Sequence, residues 1–145
     1  MPIIKKLKID HLLFILLFIS FVATTGSLFF SEVMEFTPCS LCWYQRIAMY
    51  PLVLIFAVAF WFNDSSCLRY ANPFIYIGFI ISVYHNLLIH GIVPESASPC
   101  VQGVSCATTW INLFGFITIP FLSLIAFILL LITSIILNKK NKDIS

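Results

Sequence analysis

The sequence predicts an all-α integral membrane protein in which four spanning helices form a bundle. Of its 145 residues, 61% are hydrophobic and only 10% are charged, and the mean hydropathy is +1.04. These values exclude a water-soluble protein with a single core. Four long apolar stretches are each close to the ~20 residues that a helix needs to cross the hydrocarbon of a bilayer. We expect a single membrane domain over residues 1–145.

The four stretches predict spans at about residues 12–30, 41–62, 74–92 and 111–137. The first run is too long for the apolar core of a signal peptide, and no convincing cleavage site follows it. Pro51 in the second span and Pro120 in the fourth predict kinks or locally loosened helix. Gly26 and Gly78 predict close contacts between helices. Little of the chain is left over for a soluble domain.

The distribution of lysine and arginine predicts the orientation of the bundle. Seven of the eight cations fall on one side of a four-span chain, namely Lys5, Lys6, Lys8, Arg69, Lys139, Lys140 and Lys142. The opposite side, residues 31–46 and 93–110, contains Arg46 as its only cation. Because an excess of lysine and arginine marks the cytoplasmic side, we expect both termini in the cytoplasm and two loops outside.

Four of the five cysteines fall in the two predicted outer loops, as the pairs Cys39 with Cys42 and Cys100 with Cys106. Thiols outside are free to form disulfides, whereas the cytoplasm keeps thiols reduced, and there we expect Cys67 to be an incidental free thiol. The C-x-x-C spacing of the first pair is the usual spacing of redox dithiols. The second pair lies in a loop rich in Ser and Pro, where we expect mobility and an exposed disulfide that another protein's thiolate can attack.

Two alternatives use the same cysteines without redox turnover. In the first, both pairs are structural staples, although the short ring closed by Cys39 and Cys42 restricts the unfolded chain little. In the second, all four outer cysteines bind a tetrahedral metal ion. Five residues between Cys100 and Cys106 is an unusual zinc spacing, and the outer side favours oxidation. We therefore predict no metal site.

The stretch TPCSLCWYQR joins the first cysteine pair to a cation. Thr37 is a good helix N-cap and Pro38 a good first helical residue, so the second span should begin within a residue or two of Cys39. Spacings of three and four place Cys39, Cys42 and Arg46 on one stripe of that helix. A charge within a span costs about 2.5 to 3.5 kcal/mol at mid-bilayer. We predict that Arg46 stabilises a thiolate or a reduced cofactor beside Cys42; the alternative is an arginine that snorkels to the headgroups.

The third span contains two histidines near its outer end, His85 and His90. Ionisable groups within a membrane are functional candidates, although a structural hydrogen bond between spans is an equal alternative for each. The two are five residues apart, so they point in different directions and should not act together on one face.

Redox work at the outer cysteines needs a donor and an acceptor of electrons. The donor would be a thiol protein outside the membrane. A strongly oxidising thioredoxin-like protein has a potential of about −120 mV, which excludes thioredoxin, at about −270 mV, and glutathione as its acceptors. No flavin, haem or nucleotide motif is visible in the chain. A lipid-soluble quinone fits the place where Cys42 and Arg46 meet the membrane.

Four features of the sequence match one known family: the stretch CSLCWYQRIAMYPL, the YH of the third span, the paired outer cysteines and the run VSCATTWINLFGFITIPFLSLIAF. With these features the chain resembles the DsbB/BdbC family of quinone-dependent thiol oxidoreductases, especially its short BdbC type. The resemblance covers essentially the whole chain. It implies a membrane quinone, menaquinone or ubiquinone, as cofactor. It also implies an extracytoplasmic thioredoxin-like thiol oxidase of the DsbA/BdbD kind as partner and a bacterial plasma membrane as location. No nucleic acid partner is expected.

The family's relay, carried over to this chain, implies that a thiolate of the partner attacks the second-loop disulfide at Cys100 and releases Cys106. Cys106 then attacks Cys39 and frees Cys42 as a thiolate beside the quinone. Cys42 passes the electrons on, while Arg46 holds the developing negative charge. Cys39 finally forms the first-loop disulfide again.

The resemblance implies that Cys42, Arg46 and His85 bind the quinone, with His90 as a possible substitute because it lies nearer the outer end of the span. The second loop is shorter than in the long type of the family, which leaves open how far it moves. The nearest rival is a quinone reductase of the vitamin K epoxide reductase type, in which we expect the cysteine pairs in a different order. The other rival is a non-enzymatic membrane protein stapled by its outer cysteines.

Overall fold

The computed structural model of the protein describes residues 2–97, 99–100, 105–107 and 118–143, with side chains from residue 7 onward. Throughout these residues the regular secondary structure is helical, without a strand. Four helices are long and apolar enough to cross a membrane: α1 (Pro2–Leu28), α2 (Ser40–Phe62), α3 (Leu68–Ile89) and α4 (Ile119–Lys142). A π-helical turn, Phe29–Val33, extends α1. The predicted all-α membrane bundle of four helices is confirmed.

The helices pack in a ring in which α1 and α3 each contact both α2 and α4. The core between them is apolar, with Leu16, Leu52, Phe56 and Phe127 fully buried. Large apolar side chains also cover the outside of all four helices. Helices that are apolar on every side are typical of a membrane span, because lipid rather than water surrounds the bundle.

Only one of the two glycines predicted at close helix contacts lies at such a contact. A Cβ on Gly78 of α3 would overlap the ring of Phe127 on α4, so glycine is required there for these helices to pack. Gly26 has no heavy atom within 4 Å of the position of its missing Cβ, and the prediction is wrong for this residue. The kink predicted at Pro120 is also wrong, because this proline stands in the first turn of α4, where helices tolerate it. Pro51 lies inside α2 as predicted.

The ends of α3 differ from those of the predicted span 74–92. At its start, the Asp64 carboxylate accepts a hydrogen bond from the backbone N–H of Ser66 and caps a 3-10 turn that leads directly into Leu68. At its end, Gly91 adopts a positive φ of 72°. The N–H groups of Gly91 and Ile92 bond back to the last turn, which closes α3 before the apolar run is finished. The predicted start of the fourth span, residues 111–117, lies outside the described residues.

The bundle has two chemically different ends. At the first, which we call the lysine end, the turn between α2 and α3 meets the last residues of α4. There Ser65 Oγ donates to Asn141 Oδ1 at 2.8 Å, and Asn141 Nδ2 donates to the Ser65 carbonyl at 3.3 Å. Seven of the eight cations of the sequence belong to this end. The other, the cysteine end, contains the start of α2, the end of α3 and the four cysteines Cys39, Cys42, Cys100 and Cys106.

Candidate functional site

Cys39 and Cys42 form a thiol pair at the first turn of α2. Cys39 is the N-cap, with extended backbone at φ −73° and ψ 170°, and the helix begins at Ser40. The helix therefore starts where the sequence predicted, but Thr37 is not its N-cap. Both cysteines are free thiols, and their sulfurs are hydrogen-bonded at 3.2 Å. A disulfide between them requires only a small further approach.

Cys100 and Cys106 form a disulfide with a Cα–Cα distance of 5.9 Å. Ser105 Oγ donates a hydrogen bond to the Glu95 carboxylate. Tyr84 on α3 donates its hydroxyl to the Ala97 carbonyl at 2.9 Å. Together these bonds hold the described part of the loop over the end of α3. Residues 101–104, part of the loop for which mobility was predicted, lie outside the described residues.

The prediction that this disulfide is exposed is wrong for one of its two cysteines. Cys106 is only 1% exposed, because it packs in an apolar cluster with Cys39, Leu41 and Leu88. Cys100 is half-buried and is the more accessible of the two sulfurs. Of the two sulfurs, Cys100 is therefore the one that a reagent in solvent can reach more easily.

The sulfur of Cys39 lies between the two pairs. The sulfurs of Cys39, Cys100 and Cys106 all lie within 4.8 Å of one another, and so do the Cys39 and Cys42 sulfurs and a ring nitrogen of His85. Either group has the compactness of a metal site. A metal ion needs thiolates, however, and two of the sulfurs in the first group are joined as a disulfide. The arrangement is suited to thiol–disulfide exchange between the pairs.

His85 is buried against both cysteine pairs. Its side chain is 1% exposed, and Nε2 lies 3.8 Å from the Cys39 sulfur and 3.2 Å from the Cys106 carbonyl oxygen. His90 caps the end of α3 and is exposed. Of the two histidines considered from the sequence, the structure therefore brings only His85 to the sulfurs.

The electrostatics of this site favour a negative charge on Cys39. Its pKa is lowered from 9.0 to about 4, mainly because the hydrogen bond with Cys42 stabilises the thiolate. Burial acts in the opposite direction, and the hydrogen bond and charge of His85 lower the pKa further. With the second pair oxidised and the first reduced, these contacts favour the thiolate form of Cys39.

Arg46 is buried on the stripe of α2 that the spacing predicted. It is 8% exposed; Nε donates to Ser27 Oγ and a terminal nitrogen donates to the Ser27 carbonyl, both at 2.9 Å. The guanidinium carbon also lies 5.4 Å from the centre of the Trp43 ring. This burial and anchoring to α1 contradict the alternative of an arginine that snorkels to the headgroups. None of these three partners is an anion, so the positive charge is free to stabilise one.

A cavity of about 500 Å³ opens beside these residues. Its wall includes Cys39, Cys42, Arg46 and His85, and apolar side chains of α1 and α4 supply much of the rest. Its volume is in the range of small-molecule sites, which are mostly apolar with a few polar groups. A flat, apolar ring with polar oxygens fits this donor set, because a cation and a thiol share the wall with aliphatic and aromatic side chains.

Sequence reasoning missed Ser27, the anchor of Arg46. Nothing in the local sequence marks this serine, because its role depends on the packing of α1 against α2. It also missed Tyr50, which lines the cavity and lies four residues after Arg46. Extending the spacing from Cys42 to Arg46 by one more turn would have identified Tyr50.

Comparisons with known proteins agree with this site. The family model described as disulfide bond formation protein DsbB matches residues 10–137. The chain is 48% identical over 127 residues to disulfide bond formation protein C of Bacillus subtilis (strain 168), covering 86% of this chain and 91% of that protein. It is 43% identical over 142 residues to a probable disulfide formation protein of Oceanobacillus iheyensis, covering 94% and 96%.

A more distant relative is the probable disulfide formation protein of Metapseudomonas resinovorans, which is 38% identical over 131 residues and is covered over 91% of its length. No solved structure matches the chain. The matches to the family model and to disulfide bond formation protein C confirm the resemblance noted in the sequence. They favour this family over quinone reductases of the vitamin K epoxide reductase type. The chain belongs to the DsbB family of disulfide bond formation proteins, which are four-helix membrane proteins.

Proposed function

We propose that this protein, acting as one membrane domain, oxidises the dithiol of an extracytoplasmic thioredoxin-like protein and delivers the two electrons to a membrane quinone. The observation that carries the proposal is the position of the Cys39 sulfur. It lies within 4.8 Å of both sulfurs of the second pair and 3.2 Å from Cys42, which lines the cavity. The four cysteines thus connect an accessible disulfide with an apolar chamber.

The reaction begins at the second pair. A thiolate of the partner attacks the Cys100 sulfur, the bond between Cys100 and Cys106 breaks, and Cys106 leaves as a thiolate. Cys106 attacks Cys39, which requires a Cys39–Cys42 disulfide at this stage, and Cys42 leaves as a thiolate. The second thiolate of the partner then attacks the mixed disulfide, so that the partner departs oxidised and Cys100 is released.

The released Cys100 restores the second pair. It attacks Cys106 in the disulfide between the loops, and Cys39 leaves as a thiolate. Once Cys42 has taken up a proton, its hydrogen bond lowers the pKa of Cys39. A thiol of low pKa leaves faster, so this bond favours the step. The result is an oxidised second pair and a reduced first pair.

The first pair is reoxidised at the cavity. Bound there, a quinone would accept two electrons and two protons and leave as the hydroquinone. Cys42, Arg46 and His85 would hold it, because all three line the cavity. Arg46 stabilises the negative charge that develops beside Cys42. His85 holds a proton at Nε2, between the Cys39 sulfur and the Cys106 carbonyl.

We also propose that the cysteine end faces the outside of a bacterial plasma membrane. The lysine end collects seven of the eight cations, and such an excess belongs on the cytoplasmic side. This orientation gives Cys100 an oxidising compartment and a soluble partner.

A non-enzymatic staple is the remaining alternative, and the first pair argues against it. Cys39 and Cys42 lie within one turn at the start of α2, so a bond between them would tie no two parts of the bundle together. Their position beside a cavity has no purpose in a staple.

The test mixes the purified protein with a reduced thioredoxin-like thiol oxidase and with menadione, which is a soluble quinone. Quinone absorbance should fall in step with oxidation of the partner dithiol, Cys42→Ser should abolish quinone reduction, and Cys67→Ser should leave it unchanged. Cys67 is a suitable control because it is a buried thiol that does not line the cavity. No quinone reduction by the unaltered protein with any active partner would favour the staple.

A further inference from the structure

Two hydroxyl groups in the wall of the cavity have no hydrogen-bond partner among the described residues. Thr24 on α1 and Tyr50 on α2 both line the cavity. The Thr24 Oγ1 and Tyr50 hydroxyl oxygens are buried, and neither bonds to another group in the part of the chain that the structure describes. Unpartnered buried polar groups are unfavourable and uncommon in folded proteins, so each of them needs an explanation.

Comparable hydroxyl groups elsewhere in the bundle are satisfied. Ser20, Thr25, Ser82 and Thr133 each donate to the carbonyl four residues earlier in their own helix. Thr24 is one residue from Thr25 in the same helix and forms no such bond. The missing partner of Thr24 is therefore not explained by helical position.

The two hydroxyl groups lie at one depth in the bundle. Tyr50 follows Arg46 by four residues on α2, which places it on the same face, about 6 Å further from the cysteine end. On α1, Arg46 is bonded to Ser27, and Thr24 precedes Ser27 by three residues. Because α1 and α2 run in opposite directions, Thr24 and Tyr50 are both one turn deeper than the Arg46–Ser27 contact.

We propose that Thr24 and Tyr50 bind the second carbonyl oxygen of the quinone, the one that points away from Arg46. A para-quinone has an acceptor oxygen on each of two opposite edges of its ring. The cavity offers the Arg46 cation at one level and two hydroxyl donors one helical turn deeper. Hydroxyl groups also accept hydrogen bonds, so the same pair can hold the hydroquinone. This inference rests on the proposed function and adds to it a means of selecting rings with two opposed oxygens.

Direct binding of menadione provides the test. The parent protein is Cys42→Ser, which cannot pass electrons to the ligand, and the readout is the quenching of tryptophan fluorescence. Added to this parent, Tyr50→Phe and Thr24→Val should each raise the Kd for menadione about 3- to 10-fold, the effect expected of one lost hydrogen bond. The matched controls Tyr44→Phe and Thr25→Val should leave it unchanged, because neither residue lines the cavity.

Two further measurements separate binding from structure. Tetralone, a bicyclic ring of similar size with one carbonyl, should bind the parent, Tyr50→Phe and Thr24→Val equally. In the absence of ligand, both variants should have a Tm equal to or above that of the parent, because they lose an unsatisfied hydroxyl. A structural role would instead lower the Tm and weaken both ligands alike, and that result would overturn the inference.

The outcome for the parent protein distinguishes the two proposals. If it binds menadione and both variants bind it equally well, the inference fails and the proposed function stands. If it does not bind menadione and the unaltered protein does not reduce it, the proposed function fails and the inference fails with it.

Discussion

The sulfur of Cys39 meets groups from three different parts of the chain. Cys42 belongs to α2, His85 to α3, and the Cys100–Cys106 disulfide to the second loop. An N-cap residue has extended backbone, so its side chain is not directed along the helix and can reach the loop. A cysteine inside α2 would lack this freedom. The local geometry of one residue thus gives the first pair access to the second.

The ionisation of Cys39 gives a prediction at the residue scale. In protein with a reduced first pair, the ultraviolet absorbance of its thiolate should persist at neutral pH and disappear as the pH falls through about 4. The sign follows from a lowered pKa, which keeps the charged form down to a more acid pH. The difference spectrum against Cys39→Ser isolates this thiol.

Two histidine variants test the cause of the lowered pKa of Cys39, one as the test and the other as its control. His85→Ala should shift the transition to higher pH, because the ring helps to lower the pKa of Cys39. His90→Ala should not shift it, because His90 is exposed at the end of α3. A thiolate that appears only in the alkaline range of an ordinary cysteine would show that Cys39 is not activated.

At the scale of the helices, contacts between neighbours hold the site residues in place. Arg46 is fixed by Ser27, so the contact between α1 and α2 sets where the positive charge lies. The amide nitrogen of Asn86 donates to the Pro120 carbonyl at 3.0 Å, which ties α3 to the first turn of α4 near His85. The positions of the cation and the histidine therefore depend on the packing of all four helices.

The packing of α3 against α4 gives a prediction at this scale. Gly78→Ala should lower the free energy of unfolding by about 1 to 3 kcal/mol, the usual cost of overpacking, because the added methyl group overlaps the Phe127 ring. Gly26→Ala is the matched control and should not destabilise, since the space around it is open. Thermal unfolding in detergent would compare them, and equal Tm values for the two variants would contradict this account of helix contact.

Features of the fold that depend on residues close together in the sequence could be predicted, whereas features that depend on tertiary contacts could not. Apolar runs of bilayer length predicted the four helices. The ends of these helices were less predictable, because tertiary contacts select the caps: Cys39, packed against Cys106, caps α2 in place of Thr37. Gly91 ends α3 inside an apolar run by taking a positive φ.

The same division applies to the candidate site. The spacing of Cys39, Cys42 and Arg46 lies within two turns of one helix, so the sequence was enough to place them together. Ser27 and Thr24 come from α1 and reach the site only through packing against α2. The burial of Cys106 likewise follows from a loop that folds back over helix ends, which residue spacing does not reveal.

For the whole molecule, the bundle separates two kinds of chemistry along its length. Seven of its eight cations lie at the lysine end, whereas the Cys100–Cys106 disulfide, the Cys39 and Cys42 thiols and the cavity lie toward the other. Under the proposed function, a soluble partner at the cysteine end and an apolar acceptor within the bundle can therefore use the protein without meeting each other. Cys39 is the proposed link between the two reactions.

The most direct test of this link is to find the disulfide between the loops. In the variant Cys42→Ser with Cys100→Ser, Cys39 and Cys106 remain at the cysteine end, and mild oxidation should join them. Peptide mapping under non-reducing conditions would identify the bond. Cys39→Ser with Cys100→Ser is the matched control, because Cys42 is grouped only with Cys39 and His85. The account predicts the Cys39–Cys106 disulfide in the first variant and little Cys42–Cys106 disulfide in the second. Cys39 and Cys106 both remaining as free thiols in the first variant would contradict it.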